Sequence, residues 1–151
     1  NTVLRHGEDR LLVADVAAGG PAATPATALE WFVQGRAALL AHDYAAAEPA
    51  LLHAVALDRG NAPYLDALGA TAFARGNAPR ALAAYQMAIA LDQDDGFAWY
   101  NTAVIHYNAG RMDRAIEAMR HAGIAYADKG DMVNAARILS DLQSLAEGAK
   151  S

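Results

Sequence analysis

The sequence predicts an all-α protein built from a repeated pair of helices, and three observations carry that prediction. Alanine, the strongest helix former, fills 39 of the 151 positions. No segment shows the alternation of apolar and polar residues that marks a half-buried strand. Turn-forming residues recur between the apolar segments, at positions 41–43, 59–61, 76–77, 92–96, 110 and 130–131. A chain of this length is expected to bury a real hydrophobic core.

The segment 1–26 predicts an N-terminal arm and a linker. A short helix is predicted from four apolar residues that share one face: Leu4, Leu11, Leu12 and Val16. The Gly-Gly-Pro segment at 19–21 ends that helix. Thr27 and Glu30 have the spacing of a capping box, so the helical domain is predicted to span residues 27–151. Because the sequence begins with Asn1 rather than Met, we expect a processed or excised polypeptide.

A repeat organises the chain from residue 28 onwards, in the contiguous blocks 28–61, 62–95 and 96–129, which are equal in length. Small residues recur at the eighth, twentieth and twenty-seventh positions of the blocks: Gly35, Gly69 and Ala103; Ala47, Ala81 and Ala115; Ala54, Ala88 and Ala122. Larger side chains recur at the fourth and twenty-fourth positions: Trp31, Leu65 and Trp99; Leu51, Tyr85 and Met119. We expect the small residues to let paired helices approach closely and the larger ones to fill the gaps between layers.

The period and the pattern of small and large residues resemble the tetratricopeptide repeat (TPR) over residues 28–129. The middle block matches the family best, at Leu68, Gly69, Ala81, Tyr85 and Ala88. The proline that the family carries near the end of each repeat is replaced by Arg59, Gln93 and Lys129. The resemblance implies a right-handed α-solenoid of three TPR helix pairs with a C-terminal capping helix and a short N-terminal helical arm.

The segment after the third repeat predicts the capping helix, over residues 130–147. Its turn-and-helix pattern begins at Gly130 and follows the equivalent pattern at Gly110 by less than one repeat length. The helix near 113–128 is therefore predicted to pair with the helix before it and with the helix after it. Four polar residues are expected on the outer side of the cap: Ser140, Gln143, Ser144 and Glu147.

Composition and motifs argue against catalysis, cofactors and metal binding. The chain has no cysteine, and its five histidines form no His-x-x-x-His or His-Glu-x-x-His motif. A Gly-rich phosphate loop and a Gly-x-Ser-x-Gly motif are also absent from the sequence. Asp92, Asp94 and Asp95 lack the glycine and the closing glutamate of an EF-hand, so we interpret them as a solvated turn. The sequence predicts no enzyme, no cofactor and no metal.

Charge and hydropathy limit the class of partner. The formal net charge of −5 disfavours nucleic acid and anionic membrane surfaces. No apolar run reaches the length of about 20 residues that a membrane-spanning helix needs. We therefore expect a protein or peptide partner, no nucleic acid and no membrane insertion. The cytoplasm is the expected location, with the periplasm as the alternative.

The resemblance also implies a binding site, because first-helix positions 2, 5, 9, 12 and 13 line the concave groove of TPR proteins. The spacing of three and four residues does place such positions on one helical face. The partner-binding groove is therefore predicted from ten residues: Phe32, Arg36, Leu39, Asp66, Phe73, Phe97, Tyr100, Val104, Tyr107 and Asn108. This set is largely apolar and aromatic, and it differs from the Lys and Asn residues with which some TPR proteins hold a C-terminal carboxylate.

These features predict a non-catalytic module that binds an apolar peptide or protein segment in its groove. The acidic charge, arm, three repeats and cap are also similar in layout to the class II chaperones of type III secretion, which hold hydrophobic translocator segments. Three other interpretations stay open: a regulatory or scaffold segment of a larger protein or enzyme, a sensor of a small signalling peptide, and a groove filled by residues 1–18 or by a second copy in a homodimer.

Overall fold

The computed structural model describes residues 25–149, and these residues form helices and turns without a strand. The all-α prediction is confirmed. Of the predicted arm and linker over residues 1–26, residues 1–24 lie outside the described residues. Seven helices follow one another along the described chain: α1 (Ala28–Leu40), α2 (Tyr44–Leu57), α3 (Ala62–Ala74), α4 (Ala78–Leu91), α5 (Gly96–Asn108), α6 (Met112–Asp128) and α7 (Met132–Ala149).

The helices form two compact units, and the division falls within α4, between Ala84 and Tyr85. In the first unit α1 packs against α2, and α2 packs against α3. In the second unit α6 packs against both α5 and α7. The prediction that the helix near 113–128 has two neighbours is therefore confirmed. The predicted polar side of the last helix is also exposed, at Ser140, Gln143, Ser144 and Glu147.

Side chains at the helix starts satisfy backbone N–H groups that the helices themselves leave unpaired. The predicted start at Thr27 is confirmed, because its Oγ1 accepts a hydrogen bond of 3.1 Å from the Glu30 N–H. The Thr27 hydroxyl also donates to Glu30 Oε1 at 2.9 Å. Carboxylates or amides play the same part at five other helix starts: Asp43, Asn61, Asn77, Asp95 and Asp131.

Four helices are followed, two positions after their last residue, by a residue with left-handed backbone geometry, and glycine holds three of these positions. The φ angles are 78° at Gly76, 77° at Gly110 and 77° at Gly130, whereas His42 adopts 60°. At each turn the next N–H donates to a carbonyl five residues earlier, as in the bond of 2.9 Å from Arg111 to His106. The repeated turn position predicted from the sequence is thus one backbone conformation used four times.

The small residues of the repeat lie where helices come closest. Six alanines at the twentieth and twenty-seventh repeat positions are completely buried: Ala47, Ala54, Ala81, Ala88, Ala115 and Ala122. A methyl group on Gly35 would lie 2.7 Å from Leu51 Cγ, and one on Gly96 would lie 2.8 Å from the Tyr126 ring. Distances this short leave no space for a side chain, so the glycines set how closely the helices pack.

Replacing Gly110 with alanine is expected to lower the free energy of unfolding by about 1 kcal/mol, because a Cβ disfavours the positive φ of this turn. Gly60→Ala is the matched control, since Gly60 has open space around it and lacks a φ in the left-handed region. Urea unfolding of both variants, followed by circular dichroism, measures the difference. Equal stability of Gly110→Ala and the wild type would contradict the turn geometry.

Candidate functional site

The ten residues of the predicted groove divide between the two units. Phe32, Arg36 and Leu39 lie on α1, and Asp66 and Phe73 lie on α3. The other five lie on α5: Phe97, Tyr100, Val104, Tyr107 and Asn108.

In the first unit the predicted residues are buried or half-buried rather than lying on an open surface. The Phe32 ring stacks on Tyr64 of α3, with ring centroids 4.7 Å apart and planes at 25°. Leu39 is completely buried and Phe73 is half-buried. Tyr64 was not among the predicted residues. Burial raises the pKa of its hydroxyl, and the nearby Asp58 carboxylate raises it further.

The two charged members of this group are also buried. Arg36 on α1 and Asp66 on α3 are 5% and 2% exposed. Burial of ionised groups is costly unless they are paired or hydrogen-bonded. The cation that the sequence placed on the groove is therefore not presented at the surface of this unit.

In the second unit the burial of the predicted residues changes along one face of α5. A rotation of about 100° per residue places all five of them on the same side of the helix. Phe97 and Tyr100 are buried near its start, and Val104 is half-buried. Tyr107 is 52% exposed, and Asn108 is exposed as well. The face therefore has a buried aromatic beginning and an accessible end.

Neighbouring helices hold the buried part of this face in place. The Phe97 ring meets Tyr85 edge to face, with centroids 6.0 Å apart. The Arg137 guanidinium of α7 lies 4.8 Å from the centroid of the Tyr100 ring, which is the geometry of a cation–π contact. Arg137 is not among the predicted residues, because no local pattern in the sequence relates the cap helix to α5.

Asn101, which lies on the same side of α5, is also absent from the predicted residues. Its Nδ2 donates a hydrogen bond of 3.0 Å to the Phe97 carbonyl. Its Oδ1 is buried and has no hydrogen-bond partner within residues 25–149. Asparagine is a poor helix former, so its presence inside a helix is the sequence signal that indicates a special role.

The acidic residues of the turn before α5 make contacts within the protein. Asp95 Oδ1 accepts from the Ala98 N–H at 3.1 Å, and Asp92 forms an ion pair of 2.6 Å with Lys129. Desolvation, together with the charge and hydrogen bond of Asp128, raises the pKa of Asp94. Within residues 25–149, no three histidine or acidic side chains are arranged as a metal site.

The second unit also presents an apolar surface between α6 and α7. A cavity of about 240 Å³ lies there, lined by Met119, Arg120, Gly123, Ile124, Ala127, Ala135, Ile138, Leu139 and Leu142. Four apolar side chains of these two helices are more than half exposed: Ile124, Met132, Val133 and Leu139. None of the helices within the described range has the length and apolar character needed to cross a membrane.

Comparison with known proteins gives similarity in fold. No protein family description and no curated protein sequence matches the chain. The structure of PcrH in complex with the chaperone binding region of PopD is similar with a TM-score of 0.76 and 21% identity, over 80% of this chain and 92% of that one. The type III secretion chaperone SycD of Yersinia enterocolitica, in complex with a peptide of the translocator YopD, gives 0.74 and 17%, over 80% and 93%.

A eukaryotic protein shows the same fold similarity. The TPR2B domain of yeast Sti1, in a complex with pHsp70, matches with a TM-score of 0.74 and 20% identity. The match covers 81% of this chain and 97% of that one. The chain thus has the fold of TPR-type helical repeat proteins, which include translocator chaperones, and the predicted resemblance is confirmed.

The burial of the predicted groove residues leads to a test of which of them support the fold. Phe32→Ala is expected to lower the free energy of unfolding by about 3–5 kcal/mol, because it removes a buried ring that stacks on Tyr64. Tyr107→Ala should change it by no more than about 0.5 kcal/mol, because half of that side chain is already in water. Urea unfolding measures both values. Similar losses in the two variants would show that Tyr107 belongs to the core.

Proposed function

We propose that the chain is a non-catalytic protein-binding module that holds an apolar segment of a partner protein. The observation that supports this most directly is the face of α5, where buried aromatic rings lead to the exposed ring of Tyr107. Aromatic side chains beside a rigid, buried base are the usual anchors of protein interfaces. The adjacent Val104 extends the accessible apolar area.

Polar atoms beside this face would fix the direction of the bound segment. Asn108 is exposed next to Tyr107 and can hydrogen-bond the backbone of an extended or helical ligand. The buried Oδ1 of Asn101 is an acceptor for an N–H group that reaches the base of the face. An apolar contact area with a few backbone-directed amides favours an uncharged segment over an acidic one.

The charges of the ten predicted residues support the same preference. Arg36 is the cation among them, and it is buried together with an acidic residue, Asp66, on the first unit. A site that grips a carboxylate needs exposed cations, which the ten residues do not provide. We therefore infer that the ligand is recognised through its apolar side chains.

A chaperone of secreted hydrophobic proteins is the more specific candidate. It is favoured by the fold similarity to PcrH bound to a segment of PopD and to SycD bound to a peptide of YopD. A cytoplasmic location belongs to this proposal, because such a chaperone meets its client before export. A scaffold segment of a larger protein is the alternative, in line with the similarity to a domain of Sti1.

Fluorescence anisotropy with labelled peptides tests the binding proposal. The chaperone binding region of PopD and the YopD peptide are the probes, each beside a version with its apolar residues changed to serine. We expect saturable binding of at least one native peptide, weakened about tenfold by Tyr107→Ser, because the variant removes an aromatic anchor. Met87→Ser is the matched control, since Met87 is equally exposed but lies on α4.

Two results would contradict this proposal. One is binding that survives the serine replacements in the peptide, because it would not depend on apolar side chains. The other is an equal loss in Tyr107→Ser and Met87→Ser, because the face of α5 would then have no special part. Phe97 and Tyr100 are unsuitable for this test, since both are buried and their replacement would destabilise the fold.

Homodimerisation is part of the proposal, and the apolar surface between α6 and α7 is its proposed interface. Leu139→Glu is expected to shift the chain to monomer, because Leu139 is 65% exposed at the cavity of this surface and a buried carboxylate would oppose association. Light scattering over a concentration series measures the mass. Ser144→Glu is the control, because Ser144 is exposed and lies on a different side of α7 from Leu139. A Leu139→Glu variant that dimerises like the wild type would exclude this interface.

A further inference from the structure

A second cavity lies on the side of α5 that faces away from the aromatic face. The helical rotation of about 100° per residue places Trp99, Thr102 and His106 on that opposite side. Together with residues of α4 and α6 they line a cavity of about 300 Å³. All the lining residues belong to the second unit. The proposed protein-binding function makes no use of this cavity.

The hydroxyl of Thr102 is the first indication of a ligand. The residue is 6% exposed, and its Oγ1 is buried without a hydrogen-bond partner in the described part of the chain. A buried hydroxyl that makes no hydrogen bond costs roughly 1–3 kcal/mol. Because Thr102 lines the cavity, an oxygen atom of a bound ligand can accept a hydrogen bond from that hydroxyl.

His106 supplies a second donor in the same wall. Its Nδ1 accepts a hydrogen bond of 2.9 Å from Arg111 Nε, and a guanidinium can only donate. The proton of the neutral ring must therefore lie on Nε2, which makes that atom a donor. Burial lowers the pKa of His106, and the positive charges of Arg111 and Arg114 lower it further, which favours the neutral ring. The positive charges of Arg111 and Arg114 would favour a negative ligand group beside this ring.

The outer part of the cavity adds charge and an apolar surface. Arg114 lines it and forms no ion pair with any residue between 25 and 149. The indole of Trp99 is fixed by a hydrogen bond of 2.9 Å from Nε1 to the Gln93 carbonyl, and its ring stacks on His121 at 4.3 Å. Ile89 contributes a further apolar wall.

We propose that this cavity binds a small organic carboxylate, with the carboxylate between Thr102, His106 and Arg114 and the apolar body against Trp99. Two neutral donors and one guanidinium match the acceptor sites of a carboxylate. The volume is at the lower end of small-molecule sites, so the ligand is the size of a single amino acid or aromatic acid. Glu117 also lines the cavity and would meet the ammonium group of an amino acid.

Benzoate is the first probe, and NMR shifts of the Trp99 indole and the His106 ring are the readout. We expect saturable shifts with benzoate and much weaker ones with benzamide, which has the same shape without the charge. Arg114→Gln should weaken benzoate binding about tenfold, the usual effect of losing a charged hydrogen bond. Arg120→Gln, an exposed arginine of α6 outside this cavity, should leave the affinity unchanged.

L-Phenylalanine distinguishes a simple carboxylate from an amino acid. If Glu117→Gln weakens the binding of phenylalanine but not that of benzoate, the site recognises an amino acid. If phenylalanine binds no better than benzoate and Glu117→Gln has no effect, the site recognises a simple carboxylate. The absence of a saturable shift with both probes would overturn the proposal, as would equal binding in Arg114→Gln and the wild type.

Thr102→Val separates a ligand-binding role from a structural one. Removal of the unpaired hydroxyl should keep or raise the thermal stability of the free protein, while benzoate binding falls several-fold. A Thr102→Val protein that binds benzoate as the wild type does would contradict the assigned contact. Tyr107→Ser should leave benzoate binding intact, so this site and the proposed peptide site can fail independently.

Discussion

Both units depend on helices that approach each other closely, at residues whose side chains are no larger than a methyl group. The completely buried alanines of the repeat leave room only for another helix, and Gly35 and Gly96 bring Leu51 and Tyr126 into direct contact with a backbone. Packing at this distance excludes water and fixes the neighbouring side chains in single positions. These small residues recur at the same positions of each repeat, so both units use the same kind of helix packing.

The position of α5 shows how this packing shapes the surface of the second unit. Neighbours hold the start of the helix, where Tyr85 meets Phe97 and Arg137 covers Tyr100. At its far end Tyr107 is half exposed within the described residues, as the proposed binding role requires. On the opposite side of the same helix, Thr102 and His106 line a cavity that has both polar and apolar walls. One rigid helix thus presents two surfaces of different chemistry, and a change on one need not disturb the other.

The structural similarities fit this division between packing and surface. Proteins that share only 17–21% of their residues with this chain have the same fold, because the fold depends on small residues and turn geometry that many sequences can provide. Recognition depends on the few side chains that the fold leaves exposed, and these vary independently of the repeat. For that reason the apolar character of the α5 face is a better guide to the chemistry of a partner than the similarity in fold.

The helix pairs, their caps and their turns can be predicted from the sequence alone, because they follow from local chemistry. The capping side chain of Thr27, the left-handed geometry of Gly76 and Gly110, and the buried alanines all agree with the repeat pattern. The periodicity also placed five residues on one face of α5. Which of these residues are accessible, and which neighbours they contact, depends on the tertiary packing. Phe97 is buried by other parts of the chain, and Arg137 contacts Tyr100 although the two residues are far apart in the sequence. Helical periodicity carries no information about such contacts.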